Sequence, residues 1–140
     1  GDFDSLIIIQ RKIQLLTVIF LAVFFHGAFL YPEKLIALIN PADQYIERSA
    51  EILRFVGFSL YIFGLGSVKL QTINGSGNTH VSFTIELICV LLYALFSYLF
   101  IKVWQFDIFW VWWIEYIYFI STAVLSVLYL HFFKWQNKQI

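Results

Sequence analysis

Glu115 is the residue of this chain whose type and placement most invite chemistry. It follows Trp104, Trp110, Trp112 and Trp113 and precedes residues 116–133, which hold no Asp, Glu, Lys or Arg. On a helix starting near residue 108, Glu115 lies about 10 Å along the axis, at ~1.5 Å per residue. In an apolar surround an ionised carboxylate costs several kcal/mol unless it is paired, hydrated or neutralised. One reading is a carboxyl group that takes up and releases a proton. The other is an interfacial Glu that snorkels to water or pairs with Lys102, since the clustered indoles place an interface nearby.

Glu115, Tyr118, Thr122, Ser126 and Tyr129 recur every three or four residues, which puts them on one stripe of a helix. A polar stripe on a membrane helix turns toward protein or a water-filled cavity rather than lipid. It lines a cavity that meets small substrates, or it supplies interhelical hydrogen bonds averaging about 0.6 kcal/mol each. Lys69 and Glu86 flank a glycine turn and either pair as a gate or anchor helix ends. His26 either joins a proton path or bonds to a neighbour inside its helix. The run Gly75-Ser76-Gly77 lacks the spacing and the Lys-Ser/Thr pair of a phosphate loop and reads as a tight helical turn. No Cys/His metal spacing, catalytic triad or nucleophile elbow is present, so no enzyme, metal site or cofactor is expected.

These residues need elements to hold them. Of the 140 residues 61% are hydrophobic, 21% aromatic and 13% charged, far from the roughly 25% charged residues of soluble domains. A water-soluble domain this small has too little interior to hide so much apolar surface. Lipid removes the difficulty. Formal charge is zero, so no basic field points to nucleic acid. Cys89 is the single cysteine, set in an apolar run, where it packs as a small hydrophobe.

Four apolar spans follow. The composition predicts an all-α membrane protein, one transmembrane unit over residues 1–140, with helices at about 8–31, 41–72, 80–102 and 108–134 in two antiparallel hairpins. Pro32 stops the first helix. Residues 32–51 read as a polar connection, with Asn40-Pro41 as a helix start and Glu51 lying toward the outer surface. Arg54 and Lys69 bracket the second span and snorkel from opposite ends. Thr79 is a candidate cap for the third helix, and residues 102–107 form a polar break. With an even number of spans both termini share a side. That side carries Arg11, Lys12, Lys69, Lys134 and Lys138, against Lys34, Arg48, Arg54 and Lys102 opposite, a bias toward cytoplasmic termini.

Three stretches, in order, resemble the multidrug and toxic compound extrusion (MATE) family. The first is Gly1-Asp2 followed by Arg11-Lys12 and a long apolar helix. The second is Ala50-Glu51-Ile52-Leu53-Arg54-Phe55 with a glycine-bearing helix ending Ile73-Asn74-Gly75-Ser76-Gly77-Asn78-Thr79. The third is Trp113-Ile114-Glu115-Tyr116-Ile117-Tyr118, then Tyr129-Leu130 and Lys134-Trp135, similar to the last helix of some bacterial members. The resemblance implies helices nine to twelve of a twelve-helix secondary antiporter, part of its C-terminal lobe. It also implies export of amphipathic or cationic compounds in exchange for Na⁺ or H⁺, with the bilayer and the remaining helices of a longer parent as partners, in a bacterial inner membrane. Many members carry a carboxylate inside the tenth helix. Residues 55–68 here contain no Asp or Glu, so that cation site is not carried over. A complete small four-helix membrane protein with a structural role is the competing expectation. Its small-exporter variant is disfavoured, because residues 13–31 hold no Asp or Glu.

Overall fold

The computed structural model describes residues 3–39 and 43–133. Those residues form helices joined by short turns, and no β-strand occurs among them. Helix α1, Phe3–Leu30, has 28 residues and is about 42 Å long at ~1.5 Å per residue, more than the ~30 Å hydrocarbon core requires. It begins earlier than residue 8 because Ser5, Leu6 and Ile7 contain no helix breaker. It ends where Pro32 lacks an N–H. The break is local, because the Tyr31 N–H still reaches the Gly27 carbonyl at 3.1 Å and the Leu35 N–H reaches the Tyr31 carbonyl at 3.3 Å.

The stretch expected as a polar connection is instead mostly helix. Pro32 opens α2, Pro32–Ile39, where its fixed φ suits the first turn. Leu35, Ile36 and Leu38 then recur at helical spacing. Helix α3, Asp43–Gly75, follows with 33 residues, so its first turns stand outside any bilayer core. Glu47, Arg48 and Glu51 are exposed there. The expected start at Asn40-Pro41 lies outside the described residues.

The turn after α3 is a Schellman motif written by Asn74-Gly75-Ser76-Gly77-Asn78. The Gly77 N–H reaches the Asn74 carbonyl at 3.1 Å, and the Asn78 N–H reaches the Ile73 carbonyl at 3.3 Å. Gly77 has φ 80°, a left-handed conformation that side chains disfavour. Gly77→Ala should therefore cost about 1–2 kcal/mol of stability in a detergent thermal melt. Gly75→Ala, which meets nothing within 4 Å on a helical backbone, should be neutral or slightly stabilising.

Thr79 is not the cap. Helix α4, Thr79–Tyr98, starts after Asn78, whose carbonyl accepts from Val81 N at 2.9 Å and Ser82 N at 3.1 Å. The Asn78 side chain turns back to donate to Ser76 Oγ at 2.9 Å. Beyond α4 the chain widens into a π-helical segment, Leu99–Val103, so the helix runs on through the start of the expected polar break. The last span is interrupted: α5, Ile108–Val111, and α6, Trp113–Phe132, meet at Trp112.

Among the described residues four stretches are long and apolar enough to cross a membrane: Ser5–Leu30, Gln44–Gly75, Thr79–Val103 and Ile108–Phe132. Contacts fix their directions. Gln10 meets Thr72, Thr17 meets Gly64 and Ala28 meets Gly57, so α1 and α3 are antiparallel. Tyr93 meets Glu115 while Ile85 and Cys89 lie in the cluster with Leu125 and Tyr129, so α4 and α6 are antiparallel too. Helix α6 runs parallel to α3, with Tyr116 on Phe55 and Ala123 on Gly66. The α3–α6 pair is the spine, α1 packing on α3 and α4 on α6.

The buried residues Leu70, Ile73, Ile85 and Cys89 form the core, with Tyr118, Leu125 and Tyr129 packed on them. Outward faces are apolar: Leu15 is 61% exposed, Leu16 64% and Phe24 67%. Water would penalise such faces at about 25 cal/mol per Å², whereas lipid does not.

Candidate functional site

Polar groups collect at both ends of the bundle and along one face of α6. At the end holding the Schellman turn, α1 and α3 meet at Gln10, which is 9% exposed, beside the end of α6. Its Nε2 donates to Thr72 Oγ1 at 2.8 Å, and its Oε1 accepts from Lys69 Nζ at 3.0 Å. The Thr72 hydroxyl in turn donates to the Val68 carbonyl at 2.8 Å. Lys69 thus binds α1 rather than Glu86, which is exposed. A cleft of about 270 Å³ opens beside this network, with Arg11, Lys69 and His131 at its wall and Leu6, Ile7 and Val127 on its flanks. Gln10→Leu should cost about 1–3 kcal/mol in a detergent melt, because it strips Lys69 and Thr72 of a partner at a covered position.

At the opposite end, Arg48 of α3 pairs with Asp107, the residue that opens α5, and Arg54 Nη2 meets Glu33 Oε1 of α2 at 2.7 Å. All four side chains are about half exposed, so each pair contributes at most about 1 kcal/mol. Their use is positional: they tie α2 and the α4–α5 connection to α3. Aromatic rings gather at the same end, with Phe55 against Trp113 at 4.9 Å and Tyr116 at 4.5 Å between centroids. The Tyr116 hydroxyl donates to the Phe55 carbonyl at 2.5 Å.

The α6 stripe runs between these ends. Glu115 is half-buried, and its Oε1 accepts from the Tyr93 hydroxyl at 3.1 Å; it does not pair with Lys102 among the described residues. Tyr118 stands edge-on to Tyr93 with centroids 6.0 Å apart. Thr122 is covered and donates to the Tyr118 carbonyl at 2.9 Å. Ser126 is 0% exposed, and its Oγ has no hydrogen-bond partner among the described residues. Tyr129 packs on the core and stacks on Phe133 at 5.2 Å. The five residues share one face, and that face is turned onto α3 and α4. The cleft beside Gln10 and a second, about 410 Å³ groove between α1 and α3 are lined by other residues.

His26 lies apart from the stripe. Its Nδ1 is 2.6 Å from the Val23 carbonyl and its Nε2 2.5 Å from the Tyr31 hydroxyl, both within its own stretch of chain. Sequence reasoning missed Gln10 and Thr72. The available signal was weak: two uncharged polar residues, one beside Arg11-Lys12 and one just before the glycine turn.

The family model described as MatE matches residues 1–99, which span α1 to the end of α4. The chain belongs to the MatE family. No curated protein and no solved structure matches it. MatE proteins are transporters rather than enzymes, and four membrane-length helices make this chain an integral membrane protein. The matched region takes in the Gly1-Asp2/Arg11-Lys12 stretch, residues 50–55 and the residue 73–79 turn. The stretch from Trp113 onward, with the α6 stripe, lies beyond it.

Proposed function

We propose that this chain supplies helices nine to twelve, within the C-terminal lobe, of a twelve-helix MatE antiporter. That antiporter exports amphipathic or cationic compounds in exchange for inward H⁺ or Na⁺ by alternating access. The observation that carries the reading is the MatE match over residues 1–99, which takes in the first three of four membrane-length helices. Two features support it. Glu115, hydrogen-bonded to Tyr93 between α4 and α6, is the candidate coupling group of this chain, while residues 55–68 hold no carboxylate for the family's tenth-helix cation site. The covered polar face of Tyr118, Thr122, Ser126 and Tyr129 gives α6 and α4 a seam along which packing can change as the lobe rocks. Both termini and the Schellman turn lie on the cytoplasmic side, following the Lys/Arg bias.

Dye transport tests the reading. Everted vesicles bearing the twelve-helix parent should move ethidium against its gradient when a pH or Na⁺ gradient is imposed, and stop when an ionophore collapses it. Efflux by residues 1–140 alone would overturn their placement as helices nine to twelve. Vesicles that hold both gradients and the folded parent yet move no cationic dye refute antiport. They leave the competing view of a structural four-helix membrane protein.

A further inference from the structure

We propose that the cleft between α1, α3 and α6 holds the phosphate of an anionic phospholipid. Arg11, Lys69 and His131 come from three helices to one cleft of about 270 Å³, and no carboxylate of the described residues lines it. The polar atoms at its wall are already ordered. Gln10 spans Lys69 and Thr72, so its amide oxygen and the Thr72 oxygen both already accept a hydrogen bond. A Lys ammonium carries three N–H donors, of which Gln10 takes one, and an Arg guanidinium carries five. The cleft is therefore short of acceptors and of negative charge, which a phosphate diester supplies together.

The surroundings select a lipid over a free anion. Leu6 is 46% exposed, Ile7 38% and Val127 47%, so the cleft opens onto apolar flanks that face the bilayer. The neighbouring groove of about 410 Å³ shares Leu6, Gln10 and Thr72 with the cleft and continues along Ile9, Ile13 and Val68. It offers an acyl chain a bed next to the headgroup. Lys69 is six residues before the end of α3, about 9 Å below it at ~1.5 Å per residue, the depth at which a long basic side chain meets headgroups. Basic pockets between membrane helices bind such headgroups, at an attraction that falls away within a Debye length. A lipid there bridges α1, α3 and α6 at the end of the bundle opposite the Arg48–Asp107 and Arg54–Glu33 pairs.

Native mass spectrometry of the protein in neutral detergent tests this. It is titrated with palmitoyl-oleoyl phosphatidylglycerol or with phosphatidylcholine of the same chains. The anionic lipid should be retained one-to-one, in preference to the zwitterionic one, and should raise the thermal midpoint. Arg11→Gln and Lys69→Gln should each weaken retention about fivefold, while Arg11→Lys and the distant Lys102→Gln should not. Equal retention of both lipids, or unchanged phosphatidylglycerol binding by folded Arg11→Gln, overturns the assignment. Displacement of the lipid by millimolar inorganic phosphate shows a free-anion site and overturns the lipid as occupant. Because dye transport is not the readout, failure here leaves the antiport reading untouched.

Discussion

Gly66→Leu should lower the thermal midpoint of the detergent-solubilised protein by on the order of 10 °C, a loss of about 3 kcal/mol. At Gly66 the backbone of α6 lies close against α3. A Cβ built on Gly66 would lie 3.0 Å from Ala123 Cβ, 3.2 Å from its Cα and 3.3 Å from its backbone nitrogen. Two of those three atoms are backbone, so the clash cannot be relieved by a rotamer change. The helices must separate. In a membrane the loss falls on van der Waals packing, because lipid supplies no hydrophobic force to hold helices together. Separation would also loosen the covered α6 face, where Thr122, next to Ala123, and Ser126, about one turn after it, are buried.

Gly57 is the internal control. A Cβ there meets Phe29 Cζ at 3.1 Å, the far end of a ring that can tilt away, so Gly57→Ala should cost well under half as much as Gly66→Leu. An unchanged midpoint for Gly66→Leu would show that α6 does not seat on α3 at this crossing. The parallel pairing that forms the spine of the fold would then be wrong.

Glu115→Gln in the twelve-helix parent should reduce proton-driven dye efflux tenfold or more, equivalent to about 1.4 kcal/mol in the limiting barrier, with little change in stability. Gln is close to Glu in shape, and its amide oxygen accepts the Tyr93 hydroxyl as the carboxylate does. What it loses is the ability to exchange a proton. Tyr93→Phe is the companion variant. It removes the hydrogen bond and leaves the carboxyl, so it should slow efflux without abolishing it. Efflux by folded Glu115→Gln that equals the parent at every pH assigns Glu115 a purely structural place at the α4–α6 seam.

Much of the architecture was legible in the residues alone. Apolar runs of membrane length, Pro32 at the end of α1, and the Asn74–Asn78 turn are local signals, set by sterics and hydrogen bonding within a few residues. The α6 stripe was legible for the same reason, since a helix of 3.6 residues per turn decides which side chains share a face. Helix α2 was hidden because charged Glu33 and Lys34 mask its apolar spacing and make the stretch read as loop. The break at Trp112 left no signal, as no Pro or Gly marks it.

Periodicity says which residues share a face, and nothing about what that face meets. Tertiary structure decided that Gln10 joins Thr72 across 62 residues, that Lys69 binds Gln10 instead of Glu86, and that Asp107 pairs with Arg48. It also decided that Glu115 accepts from Tyr93 and not from Lys102, and that the stripe is covered by α3 and α4. These outcomes depend on which helices run parallel and where small residues such as Gly66 let them approach. That is a property of the packed bundle: each span carries its own grease and its own stops, while the partners of its polar atoms are set by close contact between spans far apart along the chain.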